Sequence, residues 1–123
     1  MVVLTKYIAR HELEPLKRLV NIDDILDGAN KVIKGLAVET KAPRDLRGCR
    51  FFKVRIGKRN NARMMVFVIT ENKKVVPVLI RLKKDKVFGV NMAMNNPIVI
   101  EQMNKNLNHI LDDLKKKQYQ EFS

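Results

Sequence analysis

The chain has 123 residues, which is enough for one domain with one hydrophobic core and too few for two. Hydrophobic residues make up 46% and charged residues 31%, which is typical of a folded globular protein rather than a disordered one. No apolar run approaches the ~20 residues that a membrane-spanning helix needs, and the N-terminus carries charge too early for a signal peptide. We therefore expect a single domain, residues 1–123, located in the cytoplasm and without a membrane partner.

The first 36 residues predict a short strand and two helices. The stretch VVLTKYIA is apolar enough for a short strand, although its alternation is imperfect. A first helix is expected to begin near Glu14, because the proline that follows is tolerated only in the first turn. A second helix is expected from the N-cap Asn21, with acidic residues in its first turn, to a C-terminal end near Gly35.

From Phe51 the hydrophobic period changes from 3.6 to 2, which is the signature of strands. The stretches FFKVRIG, RMMVFVIT and VVPVLIRL, separated by the polar turns GKRNNA and ENKK, predict a three-stranded antiparallel meander. Pro77 removes a donor from the ladder, so the third strand is expected at a sheet edge or with a bulge there. Asn96 and Pro97 predict the start of a C-terminal helix over 97–117 that packs on the domain.

These elements predict an α+β fold. Their order is a weak N-terminal strand, two helices, the three-stranded meander and the C-terminal helix. This order is typical of helices packed on one face of a small antiparallel sheet, with the other face partly open.

The single cysteine and the two histidines give no sign of a metal site. Cys49 cannot form an intramolecular disulfide, and His11 lies far in sequence from His109. We predict no metal and no cofactor, and we expect Cys49 to be a small core residue. His109 is expected to be a surface histidine rather than a catalytic one.

The net charge of +12 is confined to one part of the chain. Residues 41–86 contain 15 basic and three acidic side chains, so the whole excess falls on the predicted sheet and its loops. This distribution is the footprint expected of a surface that binds a polyanion. Nucleic acid is the leading class of partner, and an acidic protein is the second.

Arginines on the predicted strands are the candidate catalytic residues. Guanidinium groups bind phosphate oxygens bidentately, and with lysines they can stabilise the charge that builds up as a 2′-hydroxyl attacks the neighbouring phosphate. We predict this role for Arg55, Arg63 and Arg81, although their shared face depends on strand register. The alternative is that they only solvate a polar face of the sheet. The predicted nucleic-acid contacts are Lys53, Arg59, Lys83, Lys84 and Lys86.

Four motifs occur in a fixed order over about residues 20–90. They are LRG at 46–48, FKVRIG at 52–57, Arg63 at the start of the next strand, and VL at 78–79 followed by Lys83 and Lys84. This series, behind two predicted helices, resembles the RelE/ParE-type toxins of bacterial toxin–antitoxin modules.

The resemblance implies a metal-independent endoribonuclease that cleaves mRNA, often on the ribosome, and that an acidic antitoxin protein inhibits. It implies phosphate or transition-state contacts for Arg55 and Arg63, and basic contacts for Lys83 and Lys84. Many members have a Tyr or His near the end of the last strand, where this chain has Phe88, which cannot transfer a proton. The alternative is a non-catalytic module of the same fold that binds RNA or an acidic protein.

Overall fold

A computed structural model describes residues 1–88 and 92–123. In this part of the chain the architecture is α+β, with a six-stranded mixed sheet and three α-helices. The elements in chain order are β1 (Val2–Thr5), α1 (Lys6–Ile8), α2 (Ile22–Ile33), β2 (Val38–Thr40), β3 (Cys49–Ile56), β4 (Ala62–Ile69), β5 (Lys74–Leu82), α3 (Pro97–Lys115) and β6 (Tyr119–Phe122). None of the helices in these ranges is both long and apolar enough to cross a bilayer.

The strands lie in the order β2-β3-β4-β5-β1-β6. The meander of β3, β4 and β5 is antiparallel as predicted, and the N-terminal strand is confirmed as β1, which runs parallel to β5. The edge strands β2 and β6 were not predicted. They have three and four residues that are exposed or half-buried, so they show no apolar alternation.

The first helix begins at Lys6, so the prediction of a start near Glu14 is wrong. Helix α1 continues as a π-helical turn (Ala9–Leu13) and a 3₁₀ turn (Glu14–Leu16), and we call residues 6–16 the N-terminal helical segment. Its N-terminus is capped by Asp113 of α3, whose carboxylate accepts the backbone N–H of Tyr7 at 2.8 Å. A cap supplied from 106 residues away leaves no local signal in the sequence.

Helix α2 is confirmed, and local signals explain it. Asn21 and Asp24 form a reciprocal capping box, with bonds of 3.1 and 3.0 Å between each side chain and the other residue's backbone N–H. The helix lies close to the sheet at Gly28. A Cβ atom there would be 2.5 Å from Ile56 Cγ2 and 2.8 Å from Met64 Cε, so only glycine allows this approach.

Both faces of the central strands are buried, so the prediction of helices on one face and an open face opposite is wrong. Every residue of β4 from Ala62 to Val68 is buried. Helix α2 covers the face that carries Ile56 and Met64. On the opposite side α3 contacts β5 and β1. The nearly all-apolar sequence of β4 is itself typical of a strand covered on both faces.

The predicted irregularity at Pro77 is confirmed as a bulge. Met65 pairs with Leu79 and Val66 pairs with Pro77, so Val78 is the extra residue. Strand β5 lies inside the sheet, so the edge alternative is wrong. The C-terminal helix is confirmed as α3, with the Asn96 side chain accepting from Ile98 N at 3.0 Å.

Candidate nucleic-acid site

The three predicted catalytic arginines form one row across the sheet. Arg55 pairs directly with Arg63, and Arg63 pairs directly with Arg81. Residues directly opposite one another on neighbouring strands project from the same face, and Lys53 shares that face two residues earlier on β3. The row lies at the end of the meander where β3 and β5 finish and β4 begins.

The middle arginine of the row is engaged by the fold. Arg63 is 9% exposed, and its Nη1 donates to the carbonyl oxygens of Asn60 at 2.9 Å and Ala62 at 3.2 Å. Burial lowers the pKa of the Arg63 guanidinium, and the charge of Arg55 lowers it further. Arg63 therefore holds the β3–β4 loop against the sheet. Arg55, by contrast, is exposed on the surface.

Arg81 is engaged by a buried carboxylate and an aromatic ring. Its Nη1 forms an ion pair with Glu12, which is 3% exposed. Its guanidinium carbon also lies 4.8 Å from the centroid of the Phe88 ring, a cation–π arrangement. Phe88 therefore packs over the cation, which its place in the sequence did not indicate.

Glu12 and Asn106 complete the backbone bonding of β5. Strand β1 pairs with β5 only near Val75, so β5 lacks a strand partner farther along this edge. There the Ile80 N–H donates to Glu12 Oε1 at 2.7 Å, and Asn106 Nδ2 donates to the Val78 carbonyl at 2.7 Å and to Glu12 Oε2 at 3.2 Å. These side chains satisfy groups that would otherwise be buried without partners.

A stack of three rings lies on the outer side of the same junction. Tyr7 lies between His11 and His109, with ring centroids 4.3 and 4.0 Å apart and interplanar angles of 29° and 3°. Both imidazoles are exposed, as expected for His109, and the phenol is half-buried. Sequence reasoning placed these residues outside the sheet and did not bring them together. The packing of the N-terminal helical segment on α3 does so.

The ring stack is electrostatically coupled to the buried ion pair. Burial raises the pKa of the Tyr7 phenol, the Glu12 charge raises it further, and the Arg81 charge acts in the opposite direction. The phenol therefore stays protonated at neutral pH and can donate a hydrogen bond. Exposed imidazoles beside such a donor are a combination that can exchange protons with a ligand.

The predicted nucleic-acid contacts are mostly exposed at the same end of the sheet. Lys53 is half-buried on β3, and Arg59 is exposed in the β3–β4 loop. Lys83, Lys84 and Lys86 are exposed in the segment after β5. The structure thus brings Arg59, Lys83 and Lys84 to the rim of one groove.

The lone cysteine carries no sign of reactivity. Cys49 is half-buried at the start of β3, and burial raises the pKa of its thiol. A raised pKa disfavours the thiolate, which is the nucleophilic form. Within residues 1–88 and 92–123, no three His, Cys, Asp or Glu side chains come together in a way that could hold a metal ion.

Comparison with known proteins finds no family model, no curated protein and no solved structure that matches this chain. The resemblance to RelE/ParE-type toxins therefore rests on the sequence motifs alone and stays a prediction.

Proposed function

We propose that the protein is a RelE-like toxin, a metal-independent endoribonuclease that cleaves mRNA in the cytoplasm. The observation that carries this proposal is the stack of His11, Tyr7 and His109 beside the Glu12–Arg81 ion pair. It supplies proton-transfer groups near the arginine row, which the sequence does not offer at Phe88.

The proposed reaction is attack of the RNA 2′-hydroxyl on the adjacent phosphorus. One imidazole of the His11–His109 pair takes the proton of the 2′-hydroxyl, and the other donates a proton to the 5′-oxygen as its bond to phosphorus breaks. The Tyr7 phenol donates a hydrogen bond to the phosphoryl oxygens, and Arg55 adds positive charge. The products are a 2′,3′-cyclic phosphate and a 5′-hydroxyl.

The cationic end of the sheet supports the choice of RNA as substrate. Arg55, Lys83, Lys84 and Lys86 are exposed there and carry no buried partner that would fix their charges within the fold. Such a surface attracts a phosphate backbone by charge alone. An acidic antitoxin protein would compete for the same surface.

A second candidate function is a non-catalytic module that binds RNA or an acidic protein. The observation that favours it is that Arg63 and Arg81 are both engaged within the fold, the first by backbone carbonyls and the second by Glu12. This module would bind RNA with an affinity that falls steeply as salt rises, and it would create no new RNA ends.

The two functions are separated by the ends that form on RNA. Purified protein is incubated with a labelled single-stranded RNA in the presence of a chelator, and the fragments are mapped for 5′-hydroxyl and cyclic phosphate ends. We expect cleavage by the wild type and a loss of about 10²–10⁴-fold in rate for His109→Ala, since general acid–base groups contribute that much. Asn108→Ala, an exposed neighbour on α3, is the control and should cleave normally. Binding without fragments would refute the endoribonuclease and support the binding module.

A further inference from the structure

A groove with a nonpolar floor and a cationic rim lies at the end of the meander. Its volume is about 520 Å³, within the ~300–1,000 Å³ usual for small-molecule sites. The residues that line it are Leu19, Arg59, Asn61, Leu82, Lys83 and Lys84.

Three chain segments are tied together to form this groove. The Lys83 N–H donates to the Asn61 carbonyl at 2.7 Å, and Asn61 Nδ2 contacts the Leu19 carbonyl at 3.4 Å. In the loop between them, Arg59 and Asn60 both have a φ of 54°, a left-handed conformation that non-glycine residues adopt only where the surroundings hold it. The groove is therefore formed by the fold before any ligand binds.

The floor is nonpolar and open to solvent. Leu19 precedes α2 and is 47% exposed, which is unusual for a large aliphatic side chain that packs beside a structured loop. Leu82, the last residue of β5, is half-buried beneath it. An exposed leucine inside a concave, preformed surface provides a contact for a flat nonpolar group.

The rim is entirely cationic. Arg59, Lys83 and Lys84 line it, and no acidic side chain does. The nearest acidic residue in sequence, Asp85, uses its side chain to accept the backbone N–H groups of Val87 and Phe88 at 2.9 and 3.0 Å. Its charge is thereby held in the turn after the groove.

A ligand that fits both parts must join a flat, weakly polar group to negative charges on either side. An unpaired nucleotide of RNA has this chemistry, with its base between two phosphates. A base in a duplex does not, because its faces are stacked and its edge is paired.

We infer that the groove holds one unpaired base of a single-stranded RNA, with the base on Leu19 and Leu82 and the flanking phosphates on Arg59, Lys83 and Lys84. The protein thereby selects single-stranded over duplex RNA. This inference rests on the RNA-binding part of the proposed function and does not depend on cleavage. Arg81 and Leu82 are consecutive on β5 and project from opposite faces, so the groove and the arginine row share this end of the sheet.

The test is the binding of short 2′-O-methyl oligonucleotides, which cannot be cleaved by attack of a 2′-hydroxyl. Fluorescence anisotropy compares a single strand with the same strand in a duplex at fixed salt. We expect the single strand to bind about tenfold more tightly, and Leu19→Ala to lower its affinity about tenfold without changing the duplex affinity, the scale of one stacked base. Leu36→Ala, an exposed leucine beyond α2, should change neither affinity.

A second pair of variants tests the rim. Lys83→Ala with Lys84→Ala should weaken binding of the single strand and flatten its salt dependence, whereas Lys115→Ala with Lys116→Ala at the end of α3 should leave both unchanged. Equal affinity for single strand and duplex, or no effect of Leu19→Ala, would overturn the inference. Equally tight binding of poly-glutamate that Leu19→Ala does not weaken would assign the surface to an acidic protein instead. Loss of cleavage with the single-strand preference intact would sink only the endoribonuclease.

Discussion

The inner and outer sides of the junction between the N-terminal helical segment and α3 are built from residues close in sequence but with different surroundings. Glu12 and Asn106, on the inner side, are buried and bonded to the backbone of β5. His11 and His109, on the outer side, are exposed and stack on Tyr7. Buried polar groups with partners hold a fold together, whereas exposed rings remain accessible to a ligand. Stability and chemistry at this junction should therefore respond to different substitutions.

The largest effect on stability is expected from Glu12→Leu. The substitution leaves the Arg81 charge and the Ile80 N–H without their buried partner, and breaking a buried pair in this way costs about 3–5 kcal/mol. Urea unfolding measures the change. Glu14→Leu is the control, because Glu14 is exposed and pairs only with Lys17 on the surface. Equal losses in the two variants would contradict the structural role of the inner side.

A smaller loss is expected from Asn106→Leu. Its side chain bonds the Val78 carbonyl and Glu12, and leaving such groups unsatisfied costs about 1–3 kcal/mol. The matched control is Asn108→Leu on the exposed side of the same helix, which should change the unfolding free energy very little. If Asn106→Leu proves as stable as the wild type, the carbonyl of β5 has another partner.

Removal of an outer ring is expected to have a still smaller effect on stability. His109→Ala takes away an exposed side chain, and surface substitutions usually stay within about 0.5 kcal/mol. Thermal and urea unfolding should show a stable fold even where cleavage is lost. A loss as large as that of Glu12→Leu would mean that the ring stack is structural, and the contrast between the two sides would fail.

The smallest effect is a pH dependence that belongs to Tyr7. Because the pKa of the phenol is raised in the folded protein, the unfolded chain releases this proton first, so its contribution is complete below about pH 10 and is lost as pH rises through the folded pKa. The difference in unfolding free energy between wild type and Tyr7→Phe should be constant below that pH and shift against the wild type above it. A difference that stays constant at alkaline pH would remove the proposed burial of the phenol.

Local signals explain which parts of the fold the sequence predicted. The capping box of Asn21 and Asp24 marked α2, and the change of period at Phe51 marked the meander. The N-terminal helical segment was missed because its cap, Asp113, comes from α3. The burial of both sheet faces was readable in the all-apolar sequence of β4, but the charges on β3 suggested an open face instead.

The candidate site was predicted only in part, for a similar reason. Composition placed Arg55, Arg63 and Arg81 on the strands, but it carried no information on register or on the bonds that engage two of them. Glu12 and Asn106 meet although they are 94 residues apart, and the two histidines are brought together by the same helix packing. Neither pair has a spacing that a sequence pattern reveals.

The most direct test of the central claim is the pH–rate profile of RNA cleavage by the wild type, His11→Gln and His109→Gln. If the two imidazoles act as base and acid, the wild-type profile is bell-shaped across the range from about pH 5 to 8 in which histidines exchange protons. Each variant then cleaves far more slowly and loses one limb of the bell. No cleavage by the wild type, or an unchanged profile in both variants, would contradict the account.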